Sequence, residues 1–352
     1  MNKKSLVFVL NKIKRRVYRF LPFLKGVFLA IVILVLFLLA RIGGVSLLKI
    51  FTSLRKSGFP VVSKEIQLKQ KTGRTNILLL GLEGRGEKEN LTDSLIFISI
   101  NLEKGNVVLL SIPRDLWVPS LQAKINTAYH YGEEKKQGGG VVLAKASAEE
   151  ILGQPVHYVL CLDFNGFKNA VDLLGGINIE VEQAFDDYKY PIPGKENVYP
   201  ESLRYEHLHF DAGLQKMDGE RALKYVRSRY AQGSEGSDFS RSARQQRFLL
   251  AFKKEVLSKE TLLNPKKIVE LVETFGDSID TDVAVETYPS FVKLLLKIKE
   301  ESIKRPVLNS GNGGNGGLLY EPTPQKYDNQ FVLMPKNDDW NIVKDYVSAL
   351  LE

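Results

Sequence analysis

The chain has 352 residues, of which 44% are hydrophobic, and it carries a formal net charge of +8 and a single cysteine. This length and apolar fraction allow one large folded domain with extensions. The single cysteine, Cys161, excludes an intramolecular disulfide and a thiolate-rich metal site, and its apolar neighbours indicate a buried strand position. His157, His207 and His209 show no metal-ligand spacing with that cysteine.

The first 48 residues predict a membrane anchor. Eight lysines and arginines in residues 1–25 precede any acidic residue, and uninterrupted apolar sequence then runs from Gly26 to Ala40 and continues past Arg41 to Leu48. Such a span is long enough to cross about 30 Å of hydrocarbon, with Arg41 reaching the interface. A cleaved signal peptide is the alternative, but the long basic region and the missing A-x-A site favour an uncleaved anchor.

The positive-inside rule predicts that residues 1–25 lie in the cytoplasm, that residues 26–48 cross the cell membrane once, and that the rest is extracytoplasmic. Much of the excess positive charge belongs to the N-terminal segment. Because the remaining chain then faces away from the genome, nucleic acid is excluded as an expected partner. The lipid bilayer and phosphorylated glycans are the polyanions that this topology favours.

Beyond a juxtamembrane stalk at 49–74, the pattern predicts one α/β domain at 75–305, followed by a Gly/Asn linker and a short C-terminal extension at 306–352. Apolar runs predict strands at Asn76–Leu80, Leu95–Ile100, Val107–Ile112, Val156–Leu162 and Ile177–Val181. Helices are predicted around Asn126–Tyr131, Val141–Leu152 and Asn165–Leu174, and after Asp218, Asp238, Asn264 and Ala284. This interleaving predicts a central mixed β-sheet flanked by helices on both faces.

An arginine-rich segment from Asp218 to Arg247 predicts a phosphate-binding site. With Asp238 as the predicted N-cap, Arg241, Arg244 and Gln245 fall at i, i+3 and i+4 on one face of the first helical turns. The helix dipole also favours an anion there. A solvated, salt-bridged helix face is the alternative interpretation of such a charge run.

Arg227 and Arg229 precede that helix. Two residues apart on a helix, they would point to nearly opposite sides, so a shared ligand requires the chain to become extended near Ser228. The Gly/Ser-rich loop from Gly233 to Ser237 makes such a change of conformation plausible.

Further polar residues follow the ends of the predicted strands, where ligands bind in α/β sheets. Glu83 and Arg85 follow the first strand, and Asp93 opens the second. Adjacent strands would bring Glu83 and Asp93 together, which suits Mg²⁺ bridging phosphate oxygens; two solvated loop carboxylates are the alternative. The remaining polar residues of this group, near the end of the hairpin, are Arg114, Lys124 and Asn126.

The motifs from about Asn76 to Val256 together resemble the LytR-CpsA-Psr family, which attaches glycopolymers to bacterial cell walls. In chain order they are NILLLG, TDS, VVLLSIPRD, KINTAY, LDFNGFKNAVDLLGGINIEV, AGLQKMDGERALKYVRSR and DFSRSARQQR. The ordered set is far more specific than any one of its motifs.

The resemblance implies an enzyme that transfers a glycopolymer from a polyprenyl-pyrophosphate carrier to a hydroxyl of peptidoglycan and releases polyprenyl phosphate. It implies that the prenyl tail lies in an apolar tunnel between sheet and helices, and that Asp93 and Glu83 serve Mg²⁺. The residues implied to surround the pyrophosphate are Arg85, Arg114, Arg227, Arg229, Arg241 and Gln245, and we add Arg244, Lys124 and Asn126 as candidates from their positions. Asp93, Arg114, Arg227 and Arg229 are the expected catalytic residues, with Asp93 also a candidate acceptor of the hydroxyl proton.

One departure is Glu83, which stands where the family usually has aspartate and is one methylene longer. It leaves open a non-catalytic polyprenyl-pyrophosphate-binding protein. A membrane-bound transcriptional attenuator is the third hypothesis, but it needs a cytoplasmic domain, which the predicted topology denies. The pattern assigns no role to residues 185–205 or to the tail.

Overall fold

The computed structural model describes residues 67–82, 90–262, 264, 267, 270–271, 274, 279–284, 287–311 and 316–352. The predicted anchor at 26–48, Glu83, Arg85 and most of the helix predicted after Asn264 lie outside these residues. Across the part of the chain that is described, none of the helices combines the length and the apolar character that a membrane crossing requires.

A six-stranded mixed sheet lies at the centre. Its strands are β1 Arg74–Leu82, β2 Thr92–Asn101, β3 Val107–Ile112, β6 Tyr158–Asp163, β11 Ile279–Thr281 and β12 Ile303–Lys304. Their order in the sheet is β11-β6-β1-β2-β3-β12. β1 runs antiparallel to β2 and parallel to β6, and β2 and β3 form the predicted hairpin. β11 is antiparallel to β6, and β12 is parallel to β3. β1 extends beyond the predicted Asn76–Leu80 at both ends and is mostly buried, as expected of a central strand.

Eight remaining strands form two-stranded sheets in the described residues. They are β4 Trp117–Val118 with β5 Ala123–Lys124, β7 Ile177–Val181 with β10 Gly213–Met217, β8 Phe185–Pro191 with β9 Tyr205–Phe210, and β13 Leu319–Tyr320 with β14 Met334–Pro335. β8 lies within residues 185–205, the segment to which the sequence pattern assigned no role, and β9 begins at the last of these residues.

The α-helices whose bounds fall within the described residues are α1 Ala128–Lys135, α2 Gly139–Leu152, α3 Phe164–Leu174, α4 Gly219–Arg227, α5 Asp238–Val256, α6 Lys259–Leu262, α7 Tyr288–Lys297 and α8 Trp340–Leu351. Asp218 caps α4 as predicted, since its carboxylate accepts from the backbone N–H of Arg221 at 2.8 Å. The prediction that Asp238 caps α5 is wrong. Ser237 is the N-cap and accepts from the Ser240 N–H at 3.1 Å, so Asp238 is the first helical residue.

One face of the sheet is covered by α1, α2 and α8, whose apolar side chains pack with those of the strands into a single core cluster. From β1 this cluster takes Leu78, Leu80 and Leu82, all fully buried. Val343 and Val347 of α8 belong to the same cluster. The predicted C-terminal extension therefore packs onto the α/β domain and completes the core on this face.

On the opposite face of the sheet, α5 and α7 pack against the central strands, and α3 and α4 pack with α5 in an adjoining cluster that includes residues of β7, β8, β9 and β10. α3 begins at its cap Asp163, which accepts from the Gly166 N–H at 2.7 Å. α4 begins close to α3: the carbonyl oxygen of Lys168 would lie only 2.3 Å from a Cβ added at Gly219, so a glycine is required there. The helices on this face do not fill the space above the sheet, and a cavity remains between them and the strands.

Candidate functional site

A cavity of about 500 Å³ lies between the sheet and the helices α3, α4 and α5. Its base is formed mainly by the residues of β1 and β2 that alternate with those in the closed core: Leu79 and Gly81 line it from β1, and Ser94 and Ile96 from β2. Gly81 and Ser94 are register partners in neighbouring strands. The period of two along a strand thus gives one set of residues to the core and the other to the cavity.

Most of the cavity wall is apolar. The three helices contribute the residues Phe164, Phe167, Ala170, Leu223, Val226, Phe248, Leu249 and Phe252. Phe167 and Phe248 stack with their ring centroids 4.3 Å apart, which holds α3 against α5. This wall can accept a long apolar chain but offers no hydrogen-bond partner to a polar one.

Among the described residues, four arginines line the same cavity: Arg114, Arg227, Arg229 and Arg241. Arg227 is the last residue of α4, and the chain is extended at the C-cap Ser228, with ψ of 130°. The predicted change of conformation at Ser228 is therefore confirmed. Because the chain is extended there, the two arginines on either side of Ser228 both reach the cavity.

Asp93 lies among these arginines. Its Oδ1 atom is 2.5 Å from Nη1 of Arg114, and its Oδ2 atom is 3.8 Å from Nη2 of Arg227. The Arg227 guanidinium also lies over the Phe164 ring, at 4.5 Å from the centroid. Phe164 and Asp93 therefore both fix its position. Within the described residues, four arginines line the cavity together with three carboxylates, those of Asp93, Asp187 and Glu196, so the lining is net positive, which favours an anionic ligand.

Gln245 also lines the cavity. Its Oε1 atom accepts from the Ser94 hydroxyl at 3.0 Å, and its Nε2 atom donates to the Val226 carbonyl at 3.4 Å. These contacts connect α5 to β2 and to the end of α4. Arg241, one turn earlier on α5, is buried at the cavity wall.

Arg244 does not line the cavity, and its predicted place among the ligand-binding residues is corrected. The side chain is fully buried, and its guanidinium donates to the carbonyls of Tyr225, Ser228 and Glu235 and to the Glu235 carboxylate. Two of these carbonyls lie at the C-terminal end of α4, where a helix has acceptors without helical partners. Arg244 therefore stabilises the end of α4 instead of contacting a ligand.

Lys124 and Asn126 also lie away from the cavity wall that the described residues form. The Lys124 ammonium is 3.0 Å from Oδ1 of Asp115, and the Asn126 carbonyl accepts from the Thr92 hydroxyl at 3.2 Å. Lys124 thus contacts the segment that follows β3, and Asn126 contacts the start of β2. The Asn126 contact supports the position of Thr92, the chain neighbour of Asp93.

The cavity residues that were not identified from the sequence include Asp187, Tyr190 and Phe164. Asp187 and Tyr190 come from β8, and both line the cavity. Burial raises the pKa of Tyr190 to about 12, with Arg227 nearby acting in the opposite direction. For Asp187 and Tyr190, the only sequence signal was their place in a segment rich in Tyr, Pro and Asp.

The acidic residues of the site suit Mg²⁺ only in part. In the described part of the chain, no three His, Cys, Asp or Glu side chains come together as a metal site. Asp187 already accepts several hydrogen bonds from the chain, which leaves Asp93 as the better-placed carboxylate. Magnesium is often held by one or two carboxylates together with substrate phosphates, and Asp93 fits that arrangement.

Comparison with known proteins agrees with this architecture. The LytR_cpsA_psr family model matches residues 51–332. The polyisoprenyl-teichoic acid–peptidoglycan teichoic acid transferase TagU of Oceanobacillus iheyensis is 30% identical over 280 residues, covering 78% of this chain and 79% of the relative.

Two solved structures share the fold. The crystal structure of B. subtilis TagV superposes with a TM-score of 0.55 at 23% identity, covering 80% of this chain and 98% of that one. A structure of TagT bound to LI-WTA superposes with a TM-score of 0.54 at 22% identity, covering 82% of this chain and 95% of that one. With the family model matching most of its length, the chain belongs to the LytR-CpsA-Psr family.

Proposed function

We propose that this protein is an extracytoplasmic phosphotransferase that moves a glycopolymer from a polyprenyl-pyrophosphate carrier to a hydroxyl of peptidoglycan. The observation that carries the proposal is one cavity with an apolar wall and an arginine cluster. A polyprenyl pyrophosphate combines the same two properties in one molecule. The TagU relative is named as a teichoic acid transferase, and TagT, which has the same fold, binds LI-WTA, which supports this class of enzyme and substrate.

The prenyl tail would occupy the space between the sheet and α3, α4 and α5, in contact with residues such as Leu79, Phe167 and Phe248. Burial of apolar surface contributes about 25 cal/mol per Å², so a long tail supplies much of the binding free energy. Because the prenyl tail is held along the cavity, it would also place the attached pyrophosphate next to the arginines.

Arg114, Arg227, Arg229 and Arg241 would surround the pyrophosphate. Arginine offers a planar fork that can donate two parallel hydrogen bonds to phosphate oxygens. Negative charge on the transferring phosphoryl group is stabilised by such fixed donors, which is the main source of catalysis in phosphoryl transfer. Arg85, outside the described residues, is proposed as a further member of this group.

In the reaction, the acceptor hydroxyl oxygen bonds to the sugar-side phosphorus, and the bond from this phosphorus to the bridging oxygen breaks. Polyprenyl phosphate leaves, and the glycan is joined to peptidoglycan by a phosphodiester. We assign Asp93 to accept the hydroxyl proton, since it is the carboxylate beside Arg114 and Arg227. Mg²⁺, held by Asp93 and by Glu83 outside the described residues, would neutralise charge on the phosphates.

The location of the domain outside the cytoplasm is part of the proposal and rests on the basic N-terminus and the apolar span at 26–48. Protease added to intact spheroplasts should digest the chain beyond residue 48 and leave a small membrane-bound fragment. Complete protection of the domain would contradict this topology.

Single-turnover release of polyprenyl phosphate from a lipid-linked glycan tests the proposed chemistry. Asp93→Ala should abolish release, and a chelator should lower release by the parent protein. Asp345→Ala, which removes an exposed carboxylate from α8 on the other face of the sheet, is the matched control and should behave as the parent. Equal rates for the parent and Asp93→Ala would contradict the catalytic assignment, and tight binding without turnover in the parent would indicate a binding protein instead.

A further inference from the structure

The short segment after α4 determines where two of the arginines of the site lie. Arg227 and Arg229 flank Ser228, and both line the cavity. Ser228 itself is fully buried, and its extended conformation separates the end of α4 from the loop that follows. Small changes in this segment would therefore move both guanidinium groups relative to the cavity at the same time.

Asp187 of β8 holds this segment. Its Oδ2 atom accepts from the Ser228 hydroxyl at 2.7 Å, from the Arg229 N–H at 3.3 Å and from the Tyr230 N–H at 3.2 Å. Its Oδ1 atom accepts from the Lys189 N–H at 2.9 Å, which fixes the carboxylate on its own strand. A fully buried carboxylate is unfavourable unless such donors satisfy it, so the contacts constrain both partners.

Independent contacts hold the segment from both sides. On the β8 side, Asp187 forms a β-bridge with Ala231, and the Gln232 N–H donates to the Asp186 carbonyl at 2.9 Å. On the α5 side, Arg244 donates to the Ser228 carbonyl. The Asp187 carboxylate thus accepts hydrogen bonds from this segment, and the Arg244 guanidinium donates one to it.

The charge of Asp187 is opposite to the charge that a pyrophosphate site requires. If this residue acted only through its electrostatic field, it would repel the ligand, and its removal would strengthen binding. The observed hydrogen bonds instead give it a geometric role. We propose that Asp187 is a positioning residue that orients Arg227 and Arg229 toward the pyrophosphate, an inference that rests on the proposed function.

The test compares two ligands that differ in the head group alone, geranylgeranyl pyrophosphate and geranylgeraniol, by equilibrium binding to the full-length protein in detergent. Asp187→Asn removes the charge and replaces an accepting oxygen by an N–H donor at nearly the same size. We expect affinity for the pyrophosphate to fall at least tenfold while affinity for the alcohol stays unchanged. Asp186→Asn, the same change at the neighbouring, partly exposed residue that contacts His207 and His209, is the matched control and should alter neither affinity.

Unchanged or tighter binding of the pyrophosphate by Asp187→Asn would overturn the proposal, and so would an equal loss for both ligands, which indicates a general structural role. If that variant does not fold, Ser228→Ala, which removes one donor to the carboxylate, should show a smaller loss confined to the pyrophosphate, and no loss would overturn the proposal. A parent protein that binds both ligands equally would instead contradict the proposed function itself, so the two failures are distinguishable.

Discussion

The two faces of the central sheet differ in how completely their helices cover it. On the closed face, α1, α2 and α8 pack against Leu78, Leu80 and Leu82 into one continuous core. On the open face, α3, α4 and α5 stand away from Leu79, Gly81 and Ile96 and leave the cavity. Neighbouring residues of the same strand therefore serve stability on one side and ligand binding on the other.

The comparison shows that the hydrophobicity of a strand residue does not reveal its role. Leu78 and Leu79 are adjacent and identical in chemistry, and only the side of the sheet distinguishes them. The open face also contains charged residues with structural roles, since Arg244 on α5 stabilises the end of α4 while Arg241 on the same helix lines the cavity. Substitutions that are matched in chemistry but differ in face can test this division.

The largest effect is expected for Arg244→Met. This substitution removes a buried guanidinium and leaves the Glu235 carboxylate and the carbonyls of Tyr225 and Ser228 without their donor. Breaking a buried ion pair on one side typically lowers the free energy of unfolding by about 3–5 kcal/mol. Denaturant unfolding of the full-length protein measures the change. Arg241→Met should affect stability far less and should instead weaken binding of geranylgeranyl pyrophosphate; equal destabilisation by the two variants would contradict the division of roles.

The next largest effect on the free energy of unfolding is expected for Leu78→Ala, which is compared with Leu79→Ala. Leu78 is fully buried in the closed core, so its truncation should lower the free energy of unfolding by about 3 kcal/mol. Leu79 borders the cavity, and its truncation should destabilise the protein less, because the removed atoms already face open space. Leu79→Ala should also weaken geranylgeraniol binding, whereas Leu78→Ala should not. A reversed order of stability would show that the cavity face is the tightly packed one.

A smaller effect is expected for Arg227→Ala, which removes a cation from the cavity wall. Loss of a charged hydrogen-bonding group should weaken binding of geranylgeranyl pyrophosphate by about 1.5–3 kcal/mol while leaving geranylgeraniol binding unchanged. Arg227→Lys should restore little of the affinity, because lysine lacks the planar fork and stacks less well on Phe164. A folded Arg227→Ala protein that binds the pyrophosphate as tightly as the parent would remove Arg227 from the site.

The sequence predicted several elements correctly because their signals are local. Continuous apolar runs identified the central strands, a short Gly-containing connection identified the β2–β3 hairpin, and Asp218 identified the start of α4. The need for extended chain at Ser228 also followed from the spacing of Arg227 and Arg229 alone. Each of these inferences depends on residues that are close together in the chain.

By itself, then, the sequence determined the chain order of strands β1, β2, β3, β6 and β7 and of the helices predicted around them, the presence of an arginine-rich segment at helix ends, and membership in the family through motifs in a fixed order. Only the tertiary structure decided which arginines face the cavity. Arg241 and Arg244 lie one turn apart, and the packing of α5 against the end of α4 directs one to the ligand site and buries the other. The role of Asp187 likewise depends on contacts between β8 and a segment about forty residues later in the chain, which no local pattern specifies.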